Sequence, residues 1–220
     1  PMHKILTQTD RQIDWKNDNS ETIIQKINAA DSFPGLLDEI LGVQCYLFGA
    51  HLEALKGDVK IQESAEKAAV KEIFAKRDGA ICIKTIDAAV WISHLKERSK
   101  FKLPSTYVLK ERLRGISEHR IPLMLEEKRE TFHELFLEIK GEVAYLYFNF
   151  HNGAFNAEQS IRLKYAVESL QDRCKVLVLM GGEEFFSNGI HLNILEDSKK
   201  PGEDGWSNIN AMNDMVRSVL

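Results

Sequence analysis

Cysteine is scarce: three residues in 220, at positions 45, 82 and 174. They are odd in number, far apart and without a CxxC pair, which excludes a disulfide framework or a zinc ribbon. They read as small apolar residues in a reducing compartment, so a cytoplasmic location is expected. The seven histidines are scattered, with no two at metal-binding spacing, so no metal site is expected. No apolar run approaches the length of a membrane span, and the opening PMHKILTQTD does not read as a signal peptide. An excess of positive charge is missing as well. With 29 Lys and Arg against 33 Asp and Glu, the net charge of −4 provides no overall field toward nucleic acid or anionic lipid.

What is present is 44% apolar residues, enough for one large or two modest domains. Ser20 reads as an N-cap with Glu21 in the first turn. Ile23, Ile24, Ile27 and Ala30 then recur at helical spacing as far as Asp31-Ser32. Phe33-Pro34-Gly35 stops that helix. From Val43 to about Leu109 the spacing predicts a series of short strands. They are Val43–Phe48, Val59–Ile61 after a Lys56-Gly57-Asp58 turn, Val70–Arg77, Ala80–Thr85 and Ala89–Ile92. Asp78-Gly79 is a strong hairpin signal. So many short strands suggest a small β-barrel over 38–109, entered through a junction and helix in 1–37. Between Asp38 and Lys110, 12 basic residues face 10 acidic ones, too even a balance for an RNA-binding surface. His51 and His94, each at the end of an expected strand, read as hydrogen-bonded structural histidines rather than catalysts.

Residues 110–131 are rich in charge and broken by Gly115 and Pro122, as expected of a connector. A second pattern begins at Phe132. Leu135, Leu137 and Ile139 alternate, Lys140-Gly141-Glu142 turns the chain, and Val143–Phe150 returns, which together predict a hairpin. His151 to Asn156 reads as a polar turn with Asn156 capping a helix from Glu158 to about Asp172. That helix is expected to turn Ile161, Tyr165, Val167 and Leu170 inward and Arg162 and Lys164 outward. Val176–Met180 reads as a strand buried on both faces, closed by Gly181-Gly182. A loop from Glu183 to Asn188, Gly189 and a new apolar pattern follow. A charged loop over 196–205 and a helix from about Ser207 complete the pattern.

The segment Phe186-Ser187-Asn188-Gly189-Ile190-His191-Leu192 resembles the F-S-x-G-x-x-L signature of the crotonase (enoyl-CoA hydratase/isomerase) superfamily. In that family the N–H after the motif glycine polarises an acyl-CoA carbonyl, which here implies Gly189 and the backbone N–H of Ile190. The resemblance further implies coenzyme A contacts from Gly153, Ala154, Phe155, Asn156, Ser187, Asn188 and His191. The family usually has alanine and aspartate where this chain has Ile190 and His191, and the bulkier Ile190 suits a one-carbon acyl group.

Ahead of this motif, Ile13-Asp14-Trp15, the following helix and Phe33-Pro34-Gly35 resemble the entry to the C-terminal domain of tRNA-formyltransferase-like enzymes. Gly49-Ala50-His51-Leu52, Asp78-Gly79-Ala80-Ile81, Ala89–Leu95 and Phe101-Lys102-Leu103-Pro104 are similar to one family in particular. That is the HypX hydrogenase maturation factors, in which a formyltransferase-like half is fused to a crotonase-like half.

The expected fold class is therefore mixed β and α/β. An oligonucleotide-binding-like barrel would be followed by the N-terminal part of a crotonase-like domain over 132–220. The resemblance implies an enzyme making CO from formyl-tetrahydrofolate by way of formyl-CoA, as part of the [NiFe]-hydrogenase maturation machinery. Tetrahydrofolate would be held by a part not in this chain, which is expected to be an internal piece and inactive alone. Neither nucleic acid nor membrane is an expected partner. The alternatives are an enoyl-CoA hydratase-like acyl-CoA enzyme, an RNA-binding module of a tRNA formyltransferase, and a scaffold piece without CoA.

Overall fold

The computed structural model describes residues 6–31, 33–56, 58–182 and 184–220. Ser32, Gly57 of the expected turn and Glu183 of the expected loop lie outside the described residues. The chain divides into two compact units, Pro1–Arg120 with Glu130–Phe132, and Ile121–Arg129 with His133–Leu220.

The first unit opens with α1 (Gln8–Arg11) and α2 (Ser20–Asn28). Asn19, not Ser20, caps α2 by accepting the Thr22 N–H. Ser20 instead binds Asp87 through its N–H at 2.9 Å and its hydroxyl at 2.6 Å. Ile23 and Ile27 are fully buried, each contributing roughly 1.5–3 kcal/mol on removal from water. Strands β1 (Leu36–Ile40) and β2 (Val43–Glu53) follow, then α3 (Val59–Lys67). Next come β3 (Ile73–Arg77), β4 (Ala80–Lys84), β5 (Ala89–Glu97), β6 (Lys102–Pro104) and α4 (Ser105–Leu109).

The six strands form one antiparallel sheet in the order β1-β2-β5-β4-β3, with β6 also against β5. The hairpin at Asp78-Gly79 forms as expected, both residues having positive φ. Its neighbour is different: Val59–Ile61 is helical, not a strand. Asp58 accepts the N–H groups of Lys60 and Ile61, and Ile61 and Ala65 turn inward four residues apart. Three apolar positions in a charged stretch fit either period, and the Asp58 cap decides for the helix.

A closed barrel does not form. Among the described residues no ladder joins β1 to β3, and a cleft of about 440 Å³ opens between them, lined by Ile40, Leu41, Val70 and Ile73 among others. Side chains bridge the gap where backbone does not. Lys71 reaches Asp38 at 2.9 Å, and Trp15 donates its indole N–H to the same carboxylate at 2.6 Å. Trp15 is thus a core aromatic with a polar anchor, while Asp14 holds a turn by accepting the Lys16 N–H.

The second unit contains β7 (Leu135–Lys140), β8 (Val143–Phe148), β9 (Ala154–Phe155), α5 (Ala157–Glu168), β10 (Val176–Met180), β11 (Gly189–Ile190), α6 (Leu192–Asp197) and α7 (Pro201–Val219). The expected hairpin is present, with Leu135 opposite Phe148 and Lys140 opposite Val143. The strand β10 runs parallel to β8 and forms the edge of a three-stranded sheet. It is therefore half-exposed rather than buried on both faces, with Val176 50% accessible.

The buried stripe of α5 is Gln159, Ser160, Leu163, Ala166 and Val167, continuing to Leu170. Ile161 and Tyr165 lie on the opposite, exposed face, and Arg162 turns toward a buried carboxylate, Glu134. Val167 and Leu170 belong to one helical face and Ile161 and Tyr165 to another, so the expected inward set mixed two faces. Helix α7 begins six residues before the expected Ser207 because Pro201 suits a first turn. Its Asn208, Ala211 and Met215 form the buried face.

Candidate functional site

The candidate site is built on two loops that the sheet edge brings together. Strand β8 ends at Phe148, and the chain turns through a short 3-10 segment, His151–Gly153, into β9. Parallel to β8, β10 ends at Met180, just before Gly181-Gly182, and the chain returns through 184–188 into β11. Gly181 is a steric requirement, since a Cβ there would lie 2.5 Å from the backbone Cα of Phe186; one on Gly182 would instead press on the Asn149 side-chain Oδ1, which can shift.

Strands β9 and β11 pair in parallel, Gly189 beside Ala154 and Ile190 beside Phe155. Three amides of this turn have defined acceptors. Asn188 N–H donates to Gly153 O at 2.7 Å, Gly189 N–H to Ser187 Oγ at 3.1 Å, and His191 N–H to Phe155 O at 2.8 Å. The Asn188 side chain adds a bond to Asn152 O at 2.7 Å. Asn188 and His191, on either side of Gly189-Ile190, thus both hold this turn to the β9 segment, and the β9–β11 pair has no further strand among the described residues.

The other residues singled out in the sequence fall into distinct environments. Phe155 is buried and stacks edge-on to Phe150 at 4.8 Å, so only its backbone faces the turn. Asn156 is occupied as a cap, exchanging bonds with Gln159 at 2.8 and 2.9 Å. Gly153 is buried under the second loop, a Cβ there meeting the Phe185 Cβ at 2.8 Å. His191 is buried, whereas Ser187 and Asn188 are exposed. Beside Gly189 a Cβ would meet nothing within 4 Å. The turn therefore has open space at Gly189 but not at Gly153.

Polar residues that the sequence reading passed over support the turn from behind. Glu134 is buried, accepts Gln159 Nε2 at 2.7 Å and pairs with Arg162. Asn208 of α7 donates to Phe155 O at 3.1 Å. The Asn156-x-x-Gln159 capping box was the available signal for Gln159. For Asn208 the signal was an asparagine in the interior of a helix, where it is a poor former.

In the first unit, His94 is buried beside Ser93 Oγ at 3.1 Å and the His51 ring packs 5.2 Å from Phe132. Burial pushes the Cys45 thiol up to about 12 and raises Cys82 as well, which makes both poor nucleophiles. Among the described residues no group of three metal-binding side chains occurs, and no helix is long and apolar enough to cross a membrane.

Residues 5–112 match the formyl transferase, C-terminal domain family. Over 217 residues the sequence is 34% identical to the hydrogenase maturation factor HoxX of Bradyrhizobium diazoefficiens, covering 97% of this chain and 35% of that protein. A HypX variant from Aquifex aeolicus superposes with a TM-score of 0.87 at 37% identity, covering 98% of this chain and 38% of that one. HypX of the same organism in complex with tetrahydrofolic acid gives 0.88 at 37% identity, over 97% of this chain and 37% of that one. The chain spans little more than a third of the length of these relatives. With a formyl-transferase-type sheet in its first unit and likeness running through both, the chain resembles a piece of a HypX-type hydrogenase maturation factor.

Proposed function

We propose that the longer protein containing this chain transfers a formyl group from formyl-tetrahydrofolate to coenzyme A and then releases CO from formyl-CoA. The release breaks the bond between the formyl carbon and sulfur and returns the formyl hydrogen to the thiol, giving CO and CoA. The CO would serve [NiFe]-hydrogenase maturation in the cytoplasm. Tetrahydrofolate would be held outside this chain, and the piece alone would be inactive. The near balance of charge in the first unit speaks against RNA as a partner.

The observation that carries this reading is the turn of residues 188–191, in which the Asn188, Gly189 and His191 amides are held by the protein; the Ile190 N–H between them is taken as the amide that meets the substrate. In the proposal that N–H donates to the formyl-CoA carbonyl oxygen, where negative charge develops. A pre-aligned donor in such a place lowers the barrier by on the order of 3 kcal/mol. Ser187 and Asn188 fix the turn, Gly189 leaves the approach open, and the Ile190 side chain limits the acyl group. Backbone of 153–156 and the flank at His191 would line the CoA channel.

The test is to supply the full-length protein with formyl-tetrahydrofolate and CoA and to trap CO on reduced myoglobin. CO that depends on both substrates supports the reading. Formyl transfer or thioester hydrolysis without CO would overturn it.

A further inference from the structure

We propose that Asn208 is a positioning residue for the Ile190 amide, an inference that rests on the oxyanion reading above. The Phe155 carbonyl is the junction. It accepts His191 N–H from β11 at 2.8 Å and Asn208 Nδ2 from α7 at 3.1 Å. Each of the paired strands here is only two residues long, so few backbone bonds fix where β11 lies on β9. The second donor to Phe155 O anchors that carbonyl to α7, a 19-residue helix. The direction of the Ile190 N–H follows from the plane of the peptide next to it.

Asn208 has no role in helix stability that explains its presence. It is 3% exposed in the middle of α7, where asparagine is a poor helix former. Its Oδ1 accepts nothing among the described residues, an unfavourable condition for a buried carbonyl. What the side chain supplies is the Nδ2 donor, aimed at the carbonyl that also holds β11. Displacing a reacting group by about 1 Å costs on the order of a hundredfold in rate.

The experiment uses the full-length protein with formyl-CoA as the probe, following thiol release and CO. Asn208→Leu is close in size and removes the donor together with the orphan oxygen. The expected result is a kcat lower by roughly ten- to a hundredfold with an unchanged KM, and faster amide exchange at His191, read by mass spectrometry without turnover. Asn208→Asp adds a pH signature that a filler would lack. Burial raises a carboxyl pKa. The neutral acid can donate to Phe155 O and the carboxylate repels it, so kcat of this variant should fall relative to wild type as pH rises. If Asn208→Leu does not fold, the aspartate profile decides.

Wild-type kcat and wild-type exchange in Asn208→Leu, or a flat ratio in Asn208→Asp, would overturn the proposal. A Gly189→Val variant with normal turnover would remove the oxyanion reading instead. The exchange at His191 would still report whether Asn208 holds β11.

Discussion

Trp91 donates its indole N–H to Glu53 Oε2 at 2.8 Å, across the paired strands β5 and β2, with both residues buried. The Arg77 guanidinium lies 4.5 Å from the centre of the same indole ring. Arg77 donates to His119 O, Thr131 Oγ1 and Phe132 O, each at 2.8 Å, and the Thr131 hydroxyl in turn donates to Glu53 Oε2. One buried carboxylate and one buried guanidinium thus tie the segments around 119 and 131 to the sheet. Burial pushes the Arg77 pKa down while Glu53 works against that shift.

This network predicts unequal costs for its two ends. Glu53→Leu leaves the buried Arg77 without its balancing charge and should lower stability by about 3–5 kcal/mol. Trp91→Phe removes one hydrogen bond to a charged group and should cost about 1–3 kcal/mol. Urea unfolding monitored by circular dichroism measures both. Equal losses would mean that Arg77 does not depend on Glu53.

None of this network was legible in the sequence, because Glu53, Arg77 and Thr131 are distant in the chain and look like ordinary surface residues. Local signals fared better. The Asp78-Gly79 hairpin, the β7–β8 hairpin and the Asn156 cap each depend on residues within a few positions of one another. Sequence failed where a short pattern fitted two periods. Val59–Ile61 is helical through the Asp58 cap, and Ile161 and Tyr165, apolar enough to suit an inward face, lie on the exposed face of α5. Barrel closure depends on two strand edges meeting, which no local pattern encodes. At the candidate site, the loops around Gly153 and Gly189 were recognisable from their glycines and the motif, but Asn208 reaches them from a helix more than fifty residues beyond Phe155.

The cysteines give a second prediction. Cys45 and Cys82 are fully buried, with thiols held protonated by burial, whereas Cys174 is half-buried and donates to Leu170 O at 3.4 Å. Iodoacetamide at pH 8 should modify Cys174 first and the other two only on unfolding. Mass spectrometry of a labelling time course reads the order. Rapid labelling of Cys82 in the folded protein would contradict the packing around Trp91.

His119 sets a pH dependence in the first unit. Its ring is buried, 3.3 Å from Ser64 Oγ, and burial pushes its pKa below the ordinary 6.5. The unfolded chain therefore takes up this proton at a higher pH than the folded one. The stability linked to His119 is complete above about 6.5 and is lost as pH falls from there toward the folded value. His119→Gln retains a partner for Ser64 without the titration. Denaturation midpoints between pH 7.5 and 5 should decline less steeply in this variant than in wild type. Parallel declines would show that other groups dominate.

Gly189 carries the sharpest prediction for the candidate site. Its φ of +77° lies in the left-handed region, yet a Cβ there would meet no atom within 4 Å. Valine would thus be strained by its backbone rather than by crowding, at a cost of about 1–2 kcal/mol to the fold. That loss is moderate because Gly189 itself sits where a Cβ meets no neighbouring atom, although the core residue Phe155 pairs with the adjacent Ile190. The same strain acts directly on the peptide joining residues 189 and 190, whose N–H is the proposed donor, and the branched side chain would project into the open approach. Gly189→Val in the full-length protein should therefore keep a cooperative melt while losing roughly a hundredfold or more in kcat on formyl-CoA. Gly189→Ala, with the same backbone strain but a smaller side chain, should lose less. Melting curves and turnover on the same preparations separate the two effects. If valine at 189 left turnover intact, the Ile190 N–H could not be the oxyanion donor, whatever the fate of the fold.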